Sequence, residues 1–202
     1  MKLFKTATEK KVERIAKLYQ QMRKNSEDMR MWKNLPLAKE CVGLLREIDD
    51  PKESAMDKAM GCVRVAEQLP EFDVPRMVLG ILRYALELIE HSGEDGKEDY
   101  PTAQEVSADI RLLEDYIDVE HVSYTTFMER YNRHLHFDPI MRNPAWEESY
   151  YEVEQECDRR LGDMPRGMGF CFAYWSTLAD VLAEHGVEWH SPSQLNPRVM
   201  FD

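Results

Sequence analysis

The chain has 202 residues, 43% of them apolar and 32% charged, with few Gly (9) and Pro (10). That composition supports a hydrophobic core, excludes a disordered polymer, and has too few turn formers for a strand-rich sandwich. The net charge of −12 repels phosphate backbones and anionic lipid, which disfavours broad nucleic-acid or membrane-surface binding.

In chain order, Thr6 and Glu9 form a capping box, in which the hydroxyl takes an orphan amide and the carboxylate reaches back. The helix that follows carries Val12, Ile15, Tyr19 and Met22 on one side, with Lys10, Lys11, Arg14, Lys17 and Lys24 mostly elsewhere. It interleaves few aromatics with its basic residues, so it reads as a surface or interface helix rather than an RNA contact. Asn34 and Pro36 open a second helix through Cys41, Leu44, Leu45 and Ile48. Residues 50–53 (Asp, Pro, Lys, Glu) signal a third start, and its helix runs through Met56, Met60, Val63 and Ala66. Asp73 and Pro75 open a fourth, reaching about Glu90. The polar stretch 91–101, with two Gly and a Pro, is the best linker and a hinge candidate between two helical halves.

Thr102 and Glu105 repeat the capping box ahead of Val106, Ile110, Leu113 and Ile117, a stripe at i, i+4, i+7 and i+11. A helix from about Ser123 to Leu135 is expected from Tyr124, Met128, Tyr131 and Leu135. Asn143 and Pro144 start another, with Trp146, Tyr150, Val153, Cys157 and Leu161 as its buried edge. A last helix runs from about Phe170 to Gly186, a natural residue just past a helix end. Its apolar residues Phe170, Cys171, Phe172, Tyr174, Trp175, Leu178, Val181 and Leu182 cover so much of its circumference that a central, covered helix is expected. An exposed aromatic face used for oligomerisation is the alternative. The final stretch, 187–202, has no helical period. It keeps Trp189, Leu195, Val199, Met200 and Phe201, and reads as an extended arm packed on the body. The fold class is therefore all-α, an irregular bundle of about eight helices in a single domain over 1–202, with an extended C-terminal arm.

Charge is unevenly spread. Residues 1–39 hold 11 Lys/Arg against 4 Asp/Glu, and residues 87–120 hold 12 acids against 2 bases. The two are sign-complementary and could face each other within one chain or between two. The four cysteines, Cys41, Cys62, Cys157 and Cys171, form no CxxC pair and read as reduced core residues. The start is Lys-rich and then amphipathic, and no stretch approaches the ~20 apolar residues of a membrane span. A soluble cytoplasmic protein is expected.

The sharpest chemical candidate is a pair of carboxylate motifs, Glu87 with Glu90 and Asp115 with Asp118. Residues three apart share a helix face, and two antiparallel helices could gather four such oxygens around Mg²⁺. Over about 32 residues this resembles the all-α nucleoside-triphosphate pyrophosphohydrolases of the MazG and dimeric dUTPase group, which implies Mg²⁺-dependent triphosphate hydrolysis. That family's second motif normally opens with Glu, where Asp115 stands here. At about 100° per residue, Asp115 lies about 170° from the centre of the inner stripe and Asp118 about 110° from it, so both read as solvated, salt-bridged positions.

Asp118 and His121 match half of a di-iron bundle motif whose second half is absent. His134, His136 and Asp138 could chelate only on an extended backbone. His185 suits a helix C-terminus, and His190 has no obvious partner. The turn holding Arg166, Gly167 and Gly169 before a helix is a candidate anion site, weighed against a plain interhelical turn. No nucleophile motif occurs. The function expected by elimination is a non-catalytic protein-interaction or regulatory module. It would need no cofactor and bind a protein partner or a second copy. The runner-up is the Mg²⁺-dependent pyrophosphohydrolase.

Overall fold

A computed structural model of the chain describes residues 6–49, 54–93 and 98–201. Among them are nine α-helices, two short 3-10 turns and no strand. The fold is all-α, an irregular helical bundle. The chain divides into two compact units after Glu114.

The first unit begins with α1 (Ala7–Glu27), capped as expected: Glu9 N–H donates to Thr6 Oγ1 at 3.1 Å and Thr6 N–H to Glu9 Oε2 at 2.7 Å. A 3-10 turn (Met31–Lys33) leads into α2 (Asn34–Glu47). Next, α3 (Ala55–Ala66) starts from a second box, Ser54 with Asp57, one turn after the expected start signal. That signal, residues 50–53, lies outside the described residues. Helix α4 (Pro75–Ser92) has Pro at its first turn and ends at Gly93, whose φ of +67° suits glycine. Helix α5 (Ala103–Ile117) opens on the Thr102–Glu105 box.

The core of this unit is built from the periodic apolar faces: Leu18 and Met22 of α1, Cys41 and Leu45 of α2, Met56 and Cys62 of α3, and Val78, Leu82 and Ile89 of α4. Helices α2 and α3 approach closely at Gly61, where a Cβ would sit 3.2 Å from a Leu45 methyl. Burial pushes the thiols of Cys41 and Cys62 up to about 11 and about 12, so both remain protonated, unreactive packing groups. The basic face of α1 is partly met by α2, through Arg14 with Glu40 at 2.6 Å and Lys11 with Glu47 at 3.1 Å.

A buried polar knot ties α1, α2 and the end of α3. Asn34 does not cap its helix with its side chain. Instead, its Nδ2 donates to the carbonyls of Met22 at 3.1 Å and Gln68 at 2.8 Å, and its Oδ1 accepts from Asn25 Nδ2 at 2.9 Å. The Gln68 carbonyl lies past the end of α3, where no further helical turn supplies a donor, while Met22 O, inside α1, also accepts from Ser26 Oγ at 3.1 Å.

In the second unit, Ser123 caps α6 (Tyr124–Arg130). This helix ends well before Leu135, contrary to the sequence reading. Asn132 adopts φ +47° and the chain closes with Arg133 N–H to Met128 O at 2.8 Å and Asn132 N–H to Glu129 O at 3.2 Å. That is a Schellman stop, with Asn in the left-handed position glycine usually takes. Leu135 is exposed as a result. A 3-10 turn (Pro139–Arg142) precedes α7 (Pro144–Leu161), capped by Asn143. Helix α8 (Phe170–Glu184) packs on α7, and Trp146, Val153, Cys157, Leu178, Val181, Leu182 and Trp189 form one buried cluster.

The C-terminal stretch is not wholly extended. Ser191 and Gln194 form a capping box for a one-turn helix, α9 (Pro192–Leu195). Of the five large apolar residues expected to pack, Trp189 is buried and Leu195 and Phe201 half-buried, while Val199 and Met200 face outward. Polar bonds hold the stretch as well. Asn196 accepts from His136 N–H and donates to His136 O, both at 2.8 Å.

Replacing Asn34 with Ala leaves the Gln68 carbonyl and the Asn25 side-chain N–H without these partners in a buried site. Asn34→Ala is expected to cost about 2 kcal/mol in urea unfolding, against much less for Lys10→Ala on the exposed face of α1. A second expectation concerns acid. Hydrogen bonds from Arg159 and Arg160 hold the Glu156 carboxyl down to about 2, and Arg160 also grips Glu184 of α8. The stabilisation from Glu156 is present above its ordinary value of 4.5 and is lost as pH falls toward 2. The unfolding midpoint of Glu156→Gln should therefore vary less steeply than that of the native chain over that window.

Candidate functional site

The four carboxylates singled out by spacing have separate local surroundings. Glu87 and Glu90 are exposed on α4. Asp115 is not on an open outer face. Its side chain is 23% exposed and accepts from Arg130 at 2.6 Å and Tyr131 OH at 2.7 Å. Burial pushes the Asp115 carboxyl up, but those two donors outweigh it and hold it below the ordinary carboxylate value. Asp118 accepts from the ring Nδ1 of His121 at 2.8 Å and from its backbone N–H at 3.2 Å. These bonds lower its pKa. Among the described residues, no three His, Cys, Asp or Glu side chains are grouped to hold a metal ion.

The inner stripe of α5 turns at its end. Tyr116, rather than Ile117, is the fully buried residue, because its ring meets Phe127 at 5.4 Å and Phe137 at 5.6 Å. This one-position shift brings the neighbouring Asp115 within reach of α6.

The histidines make local contacts. His136 Nδ1 lies 3.0 Å from Tyr124 OH outside any helix, and His134 is exposed. His190, which showed no partner in the sequence, donates its backbone N–H to buried Asp138 Oδ2 at 2.8 Å, with its ring Nδ1 3.0 Å from the same oxygen. Asp138 therefore joins two loops. The glycine turn is also internally engaged. The Arg166 guanidinium bonds Asp158 and lies 4.8 Å over the Phe170 ring. Gly169, at φ +79°, supplies the left-handed step into α8, and Gly167 O accepts from Phe170 N–H. The anion facing Arg166 is thus a carboxylate of the protein itself.

Sequence reasoning missed Arg142. It is only 3% exposed. Its Nε donates to Tyr116 O at 2.7 Å, and its Nη2 to Val122 O at 2.7 Å and Asp115 O at 3.1 Å. The guanidinium also lies 5.6 Å from the Phe127 ring and 5.9 Å from that of Tyr116. Burial lowers its pKa. A cation on helix-terminal carbonyls meets the negative end of the α5 dipole.

Two surface features remain. The first is the outer side of α8, which is not covered as expected. Phe170, Leu178, Val181 and Leu182 face the core, but Phe172 is 49% exposed. Phe172 meets Trp175 at 5.6 Å, and Trp175 meets Phe201 at 5.1 Å. At the ends of these segments, Met168 is 94% and Met200 95% exposed. The second feature is a cleft of about 460 Å³ in the first unit, around the turn between α3 and α4.

The chain matches no family model, no curated protein and no solved structure.

These contacts rank three substitutions. Arg142→Met leaves three carbonyls without a donor and should cost at least about 3 kcal/mol. Asp115→Asn should lower the melting temperature by less, and Asp118→Asn hardly at all. Differential scanning calorimetry of the three variants tests that order.

Proposed function

We propose that the chain is a non-catalytic protein-interaction or regulatory module, working in the cytoplasm and engaging a protein partner or a second copy of itself. The observation that carries this reading is the outward face of α8 and the C-terminal stretch. Water is a poor neighbour for Phe172, Met168 and Met200. The Phe172–Trp175–Phe201 ring contacts link α8 to the C-terminal stretch, exposed apolar groups of this kind characterise contact sites, and unbranched methionine adapts to varied partner shapes. A Mg²⁺-dependent hydrolase reading draws less support, since Asp115 and Asp118 already serve Arg130, Tyr131 and His121. Burial of Cys41, Cys62 and Cys157 as free thiols suits a reducing compartment.

The test is a triple variant, Met168→Ser, Phe172→Ser and Met200→Ser, compared with the native chain by light scattering and by cross-linking in cell extract. The native chain is expected to self-associate or to retain a partner that the variant loses, with melting temperatures within about 2 °C. A native chain that stays monomeric, with cross-links the variant does not alter, would defeat the proposal. So would Mg²⁺-dependent pyrophosphate release that disappears in both Asp115→Asn and Asp118→Asn.

A further inference from the structure

The cleft at the α3–α4 turn belongs to the first unit of the chain, and its chemistry does not depend on what the α8 face binds. Its floor is apolar, formed by Met31, Val63, Leu69, Phe72, Val78 and Leu82. Glu67, Glu71, Asp73 and Asp109 also line it, and among the described residues no lysine or arginine does. Neither Glu67 nor Asp109 has a side-chain hydrogen bond or ion pair among the described residues. Asp109 also carries a cost. Partial desolvation, and then repulsion from Glu105, push its carboxyl above the ordinary value. A cation brought beside it would favour the charged carboxylate and so offset these costs.

We propose that this cleft docks a basic, amphipathic helical segment of a partner protein, apolar side chains on the floor and lysine or arginine against Glu67 and Asp109. Charge complementarity selects the sign of the occupant. The floor selects its form. Leu69, Val78 and Leu82 are buried beneath the cleft, while the half-buried Met31, Val63 and Phe72 leave apolar surface open in it, which suits apolar side chains better than a hydrated polyamine. A helix turn with apolar residues at i, i+3 and i+4 fills such a groove while its basic residues reach the rim. Glu105, one turn before Asp109 on α5, adds to the negative potential that would steer a basic partner toward the cleft before contact.

The experiment uses the full chain and a short fluorescein-labelled Leu/Lys amphipathic helical peptide, read by fluorescence anisotropy at physiological salt. The variant Glu67→Gln/Asp109→Asn is expected to weaken binding about tenfold or more. A control with the same charge change on exposed α7 positions, Glu148→Gln/Glu152→Gln, should leave it unchanged, and a peptide with Ser for Leu should bind far more weakly. Three results overturn the proposal. One is no binding by the native chain. Another is equal weakening in both double variants, which marks unspecific attraction to an acidic protein. The third is spermidine binding in calorimetry that matches the peptide's affinity and falls in the Glu67→Gln/Asp109→Asn variant, which marks a small-cation site. Because the Met168, Phe172 and Met200 positions are untouched, failure here leaves the α8 face untested and intact as a separate reading.

Discussion

The second unit depends on one buried guanidinium. Where α5 ends, the carbonyls of Asp115 and Tyr116 have no further turn to bond, and Val122 O comes from the loop that follows. Leaving such groups dry and unpaired costs more than most single packing defects. Arginine answers three of them at once because its donors radiate from one plane. Desolvating the charge works against folding, but the ring faces of Tyr116 and Phe127 and the helix dipole offset part of that penalty. Around this anchor the remaining parts fall into place. The Tyr116 ring sets the inner face of the last α5 turn, and Asp115 is aimed at Arg130 and Tyr131.

The first unit solves a similar problem with a neutral group. Asn34 offers both a donor pair and an acceptor, so it can gather Asn25, Met22 O and Gln68 O without burying charge. Apolar contacts around it are tolerant of small slides, whereas a hydrogen-bonded knot is not. The close pass of α2 and α3 at Gly61 requires a fixed register of that kind.

Local signals were the legible part of the sequence. Capping boxes at Thr6 and Thr102, Pro75 and Pro144 in first turns, and the buried edge of α7 follow from interactions among residues a few positions apart. Misreadings arose where a distant partner decided. Tyr116 displaced Ile117 because Phe127 and Phe137 supplied a ring pocket that periodicity cannot register. Asn132 stopped α6 in a position where glycine is the usual cue, so the apolar spacing of Leu135 pointed the wrong way. Arg142 looked like any surface arginine, since nothing nearby in sequence announces three carbonyls lacking donors. The acid-lined cleft is assembled from residues between Met31 and Asp109 and leaves no linear motif. The spacing of Asp115 and Asp118 suggested a shared helix face, but α5 ends at Ile117 and the two carboxylates are taken by different neighbours on their C-terminal side.

Four methionines stand at opposite extremes of exposure and have different chemical fates. Met22 and Met56 are fully enclosed, out of reach of dissolved peroxide. Met168 and Met200 stand almost wholly in water. Oxidation to the sulfoxide turns a soft apolar side chain into a polar, chiral one, and a reductase can reverse it. Oxidant would thus reach the outward face near α8 long before it disturbed the folded core, altering what that face can adhere to while the helices beneath stayed in place.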